Sequence, residues 1–154
     1  MVPDVMIRRK EPPPIHTVPS SFSKSLITIK GRVGRRSYQF ILDTGASGTV
    51  VSRQLAQREG LAMAGKRTRA VGAGGRLAAH MAPLKVLRLG TVEVRDLPVA
   101  VVDLARLGGD TGLRIDGVIG NDVLSHYRVV IDYPARQVLL ARSRRSPRRP
   151  APPR

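Results

Sequence analysis

The chain has 154 residues, with 27 Lys and Arg against 11 Asp and Glu, which gives a formal net charge of +16. Its apolar content of 42% suffices for one small core, and its aromatic content of 3% means that the core must be built from aliphatic side chains. The chain has no cysteine, which excludes a disulfide scaffold, a thiolate metal site and a cysteine nucleophile.

Proline and charge divide the chain into three parts. Residues 1–20 are predicted to form a flexible, proline-rich extension, residues 21–142 a folded domain, and residues 143–154 a disordered tail rich in Arg and Pro. Six arginines and no acid lie in residues 141–154, so this end either keeps the protein in solution or contacts nucleic acid or an acidic partner weakly and non-specifically. No stretch has the length of a membrane span or the pattern of an export signal, which makes the cytoplasm the default expectation.

Strands dominate the first half of the predicted elements. In chain order these are a strand at 25–30, a turn at 31–34, a strand at 37–42, a short strand at 49–51 and a helix at 52–60. Ser52 is a good helix cap and Gly60 a good stop, which sets the limits of the helix.

The second half continues this pattern. Strands at 69–71 and 76–80 flank a glycine-bearing tip, and strands at 82–89 and 91–102 form a hairpin about Gly90. After a glycine-rich loop come a strand at 115–120, a short helix at 121–126 and strands at 129–132 and 137–140. Long βαβ crossovers are missing from this pattern, so the sequence predicts a mainly β fold with one or two short helices.

The sharpest local signal is a carboxylate at the end of an apolar strand. Asp43 follows Phe40-Ile41-Leu42 and precedes Thr44 and Gly45. An acid at such a position is costly unless it is paired or hydrogen-bonded. From these residues alone, Asp43 either caps its own turn or takes part in catalysis.

Two further motifs follow the Asp43-Thr44-Gly45 triplet in the chain, and their order makes the triplet more specific. The chain resembles the retropepsin-like aspartic proteases, the single-lobe branch of the pepsin clan, and within them the cellular or bacterial type. The resemblance rests on the 40–47 segment, then the glycine-bearing hairpin at 72–75, and last Val118-Ile119-Gly120 with the helix that follows. It implies a single-lobe retropepsin-like acid protease fold, a small closed β-barrel.

The resemblance also implies an aspartic-type endopeptidase, a hydrolase that acts on peptides or proteins without a cofactor. Peptide hydrolysis needs a base that activates water and an acid that protonates the leaving nitrogen. Two carboxylates about 3 Å apart share one proton and supply both roles. The chain has one Asp-Thr-Gly, so the second carboxylate must come from another copy, and a homodimer is expected.

The family's roles carry over by position. Asp43 is the expected catalytic residue, and its expected supports are Thr44, Gly45, Ala46 and Ser47. The expected flap, which would close over the substrate, is Gly72, Ala73, Gly74 and Gly75, and the alternative for these glycines is an ordinary hairpin turn without a lid function. The residues expected to pack behind the site are Val118, Ile119 and Gly120. Pocket residues are expected at Ala46, Ser47, Val50, Val118 and positions 71–76.

One departure from the family pattern and one alternative function remain. Ser47 and Asn121 stand where viral members carry an acid and an arginine that support their dimer, so both charges are missing together. His16, His80 and His126 lack the spacing of metal ligands, so no metal is expected. The alternative function is a non-catalytic module of the same fold that binds peptides or dimerises, with a basic tail that contacts nucleic acid.

Overall fold

The computed structural model describes residues 15–23, 26–65, 67–72, 75–105 and 112–142. Its strands are β1 (Ile15–Val18), β2 (Ser20–Ser23), β3 (Leu26–Val33), β4 (Arg36–Leu42), β5 (Val50–Ser52), β6 (Arg67–Gly72), β7 (Gly75–Leu89), β8 (Val92–Val102), β9 (Gly117–Ile119), β10 (Tyr127–Asp132) and β11 (Gln137–Arg142). The helices are α1 (Arg53–Arg58) and α2 (Asn121–Leu124). Ala73, Gly74 and the predicted tail at 143–154 lie outside the described residues.

Most described strands belong to one sheet that closes on itself. Its order is β2-β3-β4-β9-β5-β8-β7-β6, and β3 pairs also with β7. That extra pairing joins Gly31 to Leu89 and Arg32 to Arg88, and it completes a ring of β3, β4, β9, β5, β8 and β7. The remaining described strands form a sheet in the order β1-β11-β10. The predicted closed β-barrel with short helices is confirmed.

A mainly aliphatic core, with the rings of Tyr38 and Phe40, fills the barrel. Phe40 on β4 is fully buried and packs with side chains such as Ile29 and Leu87. Each such side chain contributes roughly 1.5–3 kcal/mol by leaving water. Glycines make room for the ring, because a Cβ at Gly31 or Gly117 would lie 2.7 or 2.6 Å from Phe40 atoms.

Several predicted elements differ from those of the structure. β3 runs through Val33, so the turn begins at Gly34, whose φ of +58° suits glycine, rather than at residue 31. The predicted strands at 76–80 and 82–89 are one strand, β7. The sequence pattern predicts no strand before residue 25, yet β1 pairs with β11, from Ile15 opposite Ala141 to Val18 opposite Val138. These pairings join residues far apart in the chain, which local patterns do not report.

Within the described part of the chain, no helix is long and apolar enough to cross a membrane.

Candidate active site

Asp43 stands at the mouth of the barrel, directly after β4. Its N–H donates to the carbonyl of Ile119 at 3.1 Å, which ties it to the end of β9. Its Oδ1 accepts the N–H of Gly45 at 2.8 Å, and the residue is exposed. Within the described residues, Oδ2 accepts no hydrogen bond. The carboxylate therefore caps its own turn with one oxygen and presents the other to solvent.

The residues after Asp43 form a tight loop against the second motif. The Ala46 N–H donates to the Asp43 carbonyl at 3.3 Å, and the Ala46 carbonyl accepts the N–H of Asn121 at 2.7 Å. Gly45 is exposed, and a Cβ there would lie 3.2 Å from Asp43 Oδ1. Thr44 and Ser47 are also exposed, and their hydroxyls form no hydrogen bond with the described residues. The expected support residues thus share one loop, with two hydroxyls left available to a partner or a substrate.

Val118, Ile119 and Gly120 lie directly behind this loop, as the resemblance implies. β9 is flanked by two strands, pairing in parallel with β4 and antiparallel with β5. Leu42 is opposite Ile119, so the chain leaves both strands at the same end of the barrel. A Cβ at Gly120 would lie 2.5 Å from the Gly48 carbonyl oxygen, and only glycine permits this approach of two backbones.

A third component, absent from the sequence prediction, holds the two loops together. The Asp122 carboxylate accepts the Thr49 N–H at 2.8 Å and the Thr49 hydroxyl at 2.7 Å. The Thr49 hydroxyl in turn accepts the Gly120 N–H at 3.2 Å. The sequence shows Asp122 as a first-turn acid of a short helix, and Asp122 Oδ1 also accepts the Val123 N–H at 2.9 Å. Its partner Thr49 is 73 residues away, and no local pattern marks such a pair.

An apolar cluster lies beside the strand that leads into the Asp43 loop. Buried Ile41, two residues before Asp43, packs with Ala79, Val102, Leu104 and Ile115. Val50 and Val118, both expected pocket residues, are partly buried against this cluster and lie opposite each other in the sheet. A partly exposed aliphatic surface next to the carboxylate is suited to apolar side chains of a bound peptide.

The hairpin expected to act as a flap is formed by β6 and β7. Its last described pair is Gly72 opposite Gly75, and the tip residues Ala73 and Gly74 lie outside the described residues. β7 continues from this hairpin into the barrel wall, where it pairs with β8 from His80 to Leu89. The hairpin is therefore built on a strand that belongs to the rigid part of the fold.

The described residues contain no group of three or more His, Cys, Asp and Glu that could hold a metal ion. His16 binds the Thr91 hydroxyl at 2.6 Å and His80 the Ala64 carbonyl at 3.2 Å, both through Nδ1. These two histidines thus have ordinary protein partners far from Asp43 in the chain.

Comparison with known proteins agrees with this geometry. A protein-family model described as aspartyl protease matches residues 27–123, more than half of the chain. The chain belongs to the aspartyl protease family. The matched residues include the Asp43 loop, the 118–120 segment and the Thr49–Asp122 pair, so every part of the candidate site lies inside the aspartyl protease match.

A solved structure supports the same fold. A retropepsin-like aspartic protease from Rickettsia conorii matches with a TM-score of 0.57 and 18% sequence identity, over 82% of this chain and 89% of that chain. At this identity the likeness shows the fold, and it confirms the predicted retropepsin-like architecture. A search of curated proteins found no match.

Proposed function

We propose that the protein is an aspartic endopeptidase in which Asp43 from each of two copies activates the attacking water. The observation that carries this proposal is the exposed Asp43 carboxylate, held by the Gly45 N–H at 2.8 Å in a chain of the aspartyl protease family. One carboxylate oxygen is fixed by the turn, which leaves the other oriented for chemistry. A rigid acid at the mouth of the barrel is what the reaction needs.

The chemistry requires the second copy. One carboxylate of the dyad takes a proton from water while the other, already protonated, donates its proton to the peptide carbonyl. The first then passes the proton taken from water to the leaving nitrogen, and the second regains its proton from the hydroxyl as the carbonyl re-forms. A lone carboxylate supplies only one of these roles at a time. We therefore propose a homodimer whose twofold axis passes between the two Asp43 loops, with the exposed Thr44 hydroxyl reaching the partner's loop.

The substrate is proposed to be an extended peptide. It would lie between the Asp43 loop and the β6–β7 hairpin, with the hairpin around Gly72 and Gly75 closing over it by backbone pairing. Its apolar side chains would contact the cluster that includes Val50 and Val118. The floor of this peptide-binding site would be formed by the support residues Thr44, Gly45, Ala46 and Ser47.

We also propose that residues 21–142 are the protease domain, with residues 1–20 and 143–154 outside it. The first of these boundaries, between residues 20 and 21, does not separate the extension from the fold completely, because β1 (Ile15–Val18) pairs with β11. The last residues of the N-terminal extension are therefore proposed to brace the domain.

The decisive experiment is cleavage of an unbiased peptide pool across about pH 4 to 7, the region in which a carboxylate pair can hold a single proton. Asp43→Asn is expected to abolish cleavage, at least about 1,000-fold, because the amide cannot act as a base. Circular dichroism and size-exclusion chromatography are expected to show unchanged fold and assembly.

Asp103→Asn is the matched control. Asp103 is also exposed, and its Oδ1 accepts the N–H of the residue two positions later, Ala105, at 3.0 Å, which is the same local turn as at Asp43. This variant should keep full activity. Cleavage by Asp43→Asn equal to the wild type would contradict the proposal, and no cleavage by either protein under any condition would favour the non-catalytic peptide-binding module.

A further inference from the structure

A basic groove of about 650 Å³ is lined by described residues outside the 43–48 loop. Its cationic lining comes from four places in the chain, namely Lys30 on β3, Arg36 on β4, Arg58 at the end of α1 and Arg114 before β9. All four side chains belong to exposed residues. Cations converging from separate elements form a concave surface that favours an anion.

The charges of the groove are only half compensated. Arg36 contacts Glu59 at 3.4 Å, and Arg114 contacts Asp116 at 3.3 Å. Lys30 and Arg58 have no acidic group within 4.0 Å in the described part of the chain. Two positive charges therefore lie at the rim of a groove whose other two cations are already fixed in place by ion pairs.

The floor of the groove is fixed and has its polar groups satisfied. Asp116 is 5% exposed, and its Oδ2 accepts the Gln39 N–H at 2.9 Å. The Tyr38 side chain is 3% exposed, and its hydroxyl donates to Glu59 at 2.5 Å. A rigid floor lowers the entropy cost of binding an extended ligand.

These features favour a polypeptide over a nucleic acid. Among the described residues that line the groove, the one aromatic residue is Tyr38, and its ring is buried, so these residues offer no stacking platform for bases. The buried Asp116 carboxylate on the floor would oppose closely spaced phosphates, whereas carboxylates spaced along a peptide can meet Lys30 and Arg58 at the rim.

We propose that this groove binds an acidic segment of polypeptide, with Lys30 and Arg58 contacting its carboxylates. Gln39 on β4 precedes Asp43, which directly follows that strand, by four residues, and this separation spans about 13 Å at the usual rise of an extended chain. An extended substrate can therefore reach both places. That the segment belongs to a substrate rests on the proposed function, while binding in the groove does not.

The test is a binding measurement on the full chain carrying Asp43→Asn, so that no hydrolysis complicates it. The probe is a fluorescein-labelled hexaglutamate peptide, followed by fluorescence anisotropy at moderate salt. Adding Lys30→Gln and Arg58→Gln is expected to weaken the Kd by about fivefold or more, since two direct carboxylate contacts are lost.

The matched control adds Lys85→Gln and Arg128→Gln, two exposed cations outside the groove whose removal changes the net charge equally. Both variants keep the Arg-rich tail, so any attraction by the tail is the same in each. The control is expected to weaken binding by less than about twofold. A backbone amide shift of Gln39 on titration would support the groove as the site.

Three results would overturn the proposal. Equal weakening in the two double variants would show a general attraction by net charge. Absence of measurable binding would show that the groove has no such ligand. Tighter binding of a single-stranded oligonucleotide of equal charge, lost in the Lys30 and Arg58 variant, would assign the groove to nucleic acid instead. Cleavage assays do not enter this test, so its failure is separate from failure of the proposed function.

Discussion

Gly120 is the residue at which the two loops of the candidate site come closest. A Cβ at this position would lie 2.5 Å from the carbonyl oxygen of Gly48 and 3.0 Å from that of Ala46. Both neighbours are backbone atoms, and the Ala46 carbonyl is also held by the Asn121 N–H at 2.7 Å. Unlike the end of a flexible side chain, they cannot rotate away from an added methyl group.

Gly120→Ala is therefore expected to destabilise the fold by about 2–4 kcal/mol, because the loop from Asp43 to Gly48 must move. Urea unfolding measures this loss, and any peptidase activity should fall further than the folded fraction does. Gly65→Ala is the control, since no atom lies within 4 Å of a Cβ there, and it should stay within about 0.5 kcal/mol of the wild type. Equal stability of the two variants would contradict the packing argument.

At the level of single residues, the expected contact between the Asp43 loop and the Val118-Ile119-Gly120 motif came from the family resemblance and from no local pattern. The structure brings the two together through the Asp43 N–H and the Ile119 carbonyl, while the roles of these residues in catalysis stay predictions. The contact between Asp122 and Thr49 could not be predicted from the sequence. An acid in the first turn of a helix is already explained by its favourable interaction with the helix N-terminus, so nothing in the sequence indicates a further partner. The pairing becomes visible only when β5 and α2 are placed side by side.

At the scale of elements, the Thr49–Asp122 contact joins the start of β5 to α2. Thr49 is 2% exposed, so its N–H and hydroxyl need partners inside the protein. Asp122 Oδ2 and Oδ1 accept them at 2.8 and 2.7 Å. Removing the carboxylate leaves two buried donors unsatisfied.

Asp122→Ala is expected to cost about 2–3 kcal/mol, measured by urea unfolding, and Asp122→Asn about half of that, because the amide oxygen still accepts one of the two bonds. Asp132→Ala is the control, since Asp132 accepts only the Ala135 N–H of its own turn at 2.9 Å. If Asp132→Ala lowered the free energy of unfolding as much as Asp122→Ala does, the stabilising role of the contact between β5 and α2 would be contradicted.

A second link between elements joins β4 to the end of α1 through Tyr38 and Glu59. Burial of Tyr38, together with the hydrogen bond to Glu59 and its charge, raises the pKa of Tyr38 from 10.0 to about 12. The folded state then holds the phenolic proton more tightly than the unfolded state. The resulting stabilisation is complete below pH 10 and disappears as the pH rises from 10 to 12.

Between pH 9 and 12, the free energy of unfolding of the wild type should fall by about 2–3 kcal/mol more than that of Tyr38→Phe, which has no phenolic proton to lose. Urea titrations at each pH measure the difference. Tyr133→Phe removes a tyrosine that is 66% exposed, and its curve should follow the wild type. Parallel curves for the wild type and Tyr38→Phe would rule out the stabilising role of this hydrogen bond.

The elements themselves show which signals are local. The β3–β4 hairpin and α1 were predictable because alternation, a turn glycine and a capping Ser52 lie within the segments concerned, and the Leu55 N–H does donate to the Ser52 hydroxyl at 3.1 Å. β1 was not predictable, because two of its four residues are exposed and the strand exists by pairing with β11, more than 100 residues later. Closure of the barrel by β3 and β7 likewise depends on a distant contact.

At the scale of the whole molecule, the proposed mechanism makes the dimer a requirement of the chemistry. The chain offers one Asp-Thr-Gly, and its exposed loop carries no neighbouring acidic side chain in hydrogen-bond contact with Asp43 among the described residues. Ser47 and Asn121 replace the charged pair of the viral members, so the dimer would be held by neutral contacts. Activity should therefore depend on how many dimers contain two intact Asp43 residues.

Mixing the wild type with an equal amount of Asp43→Asn tests this dependence. The chains are denatured and refolded together so that they assort at random, and roughly a quarter of the dimers then carry both carboxylates. The expected activity is roughly a quarter of that of the same total amount of wild type, since a dyad with one amide cannot supply both an acid and a base. Mixing with Asp103→Asn instead should leave the activity unchanged. A fall to about one half would show that each chain works alone, because only independent sites lose activity in proportion to the inactive fraction.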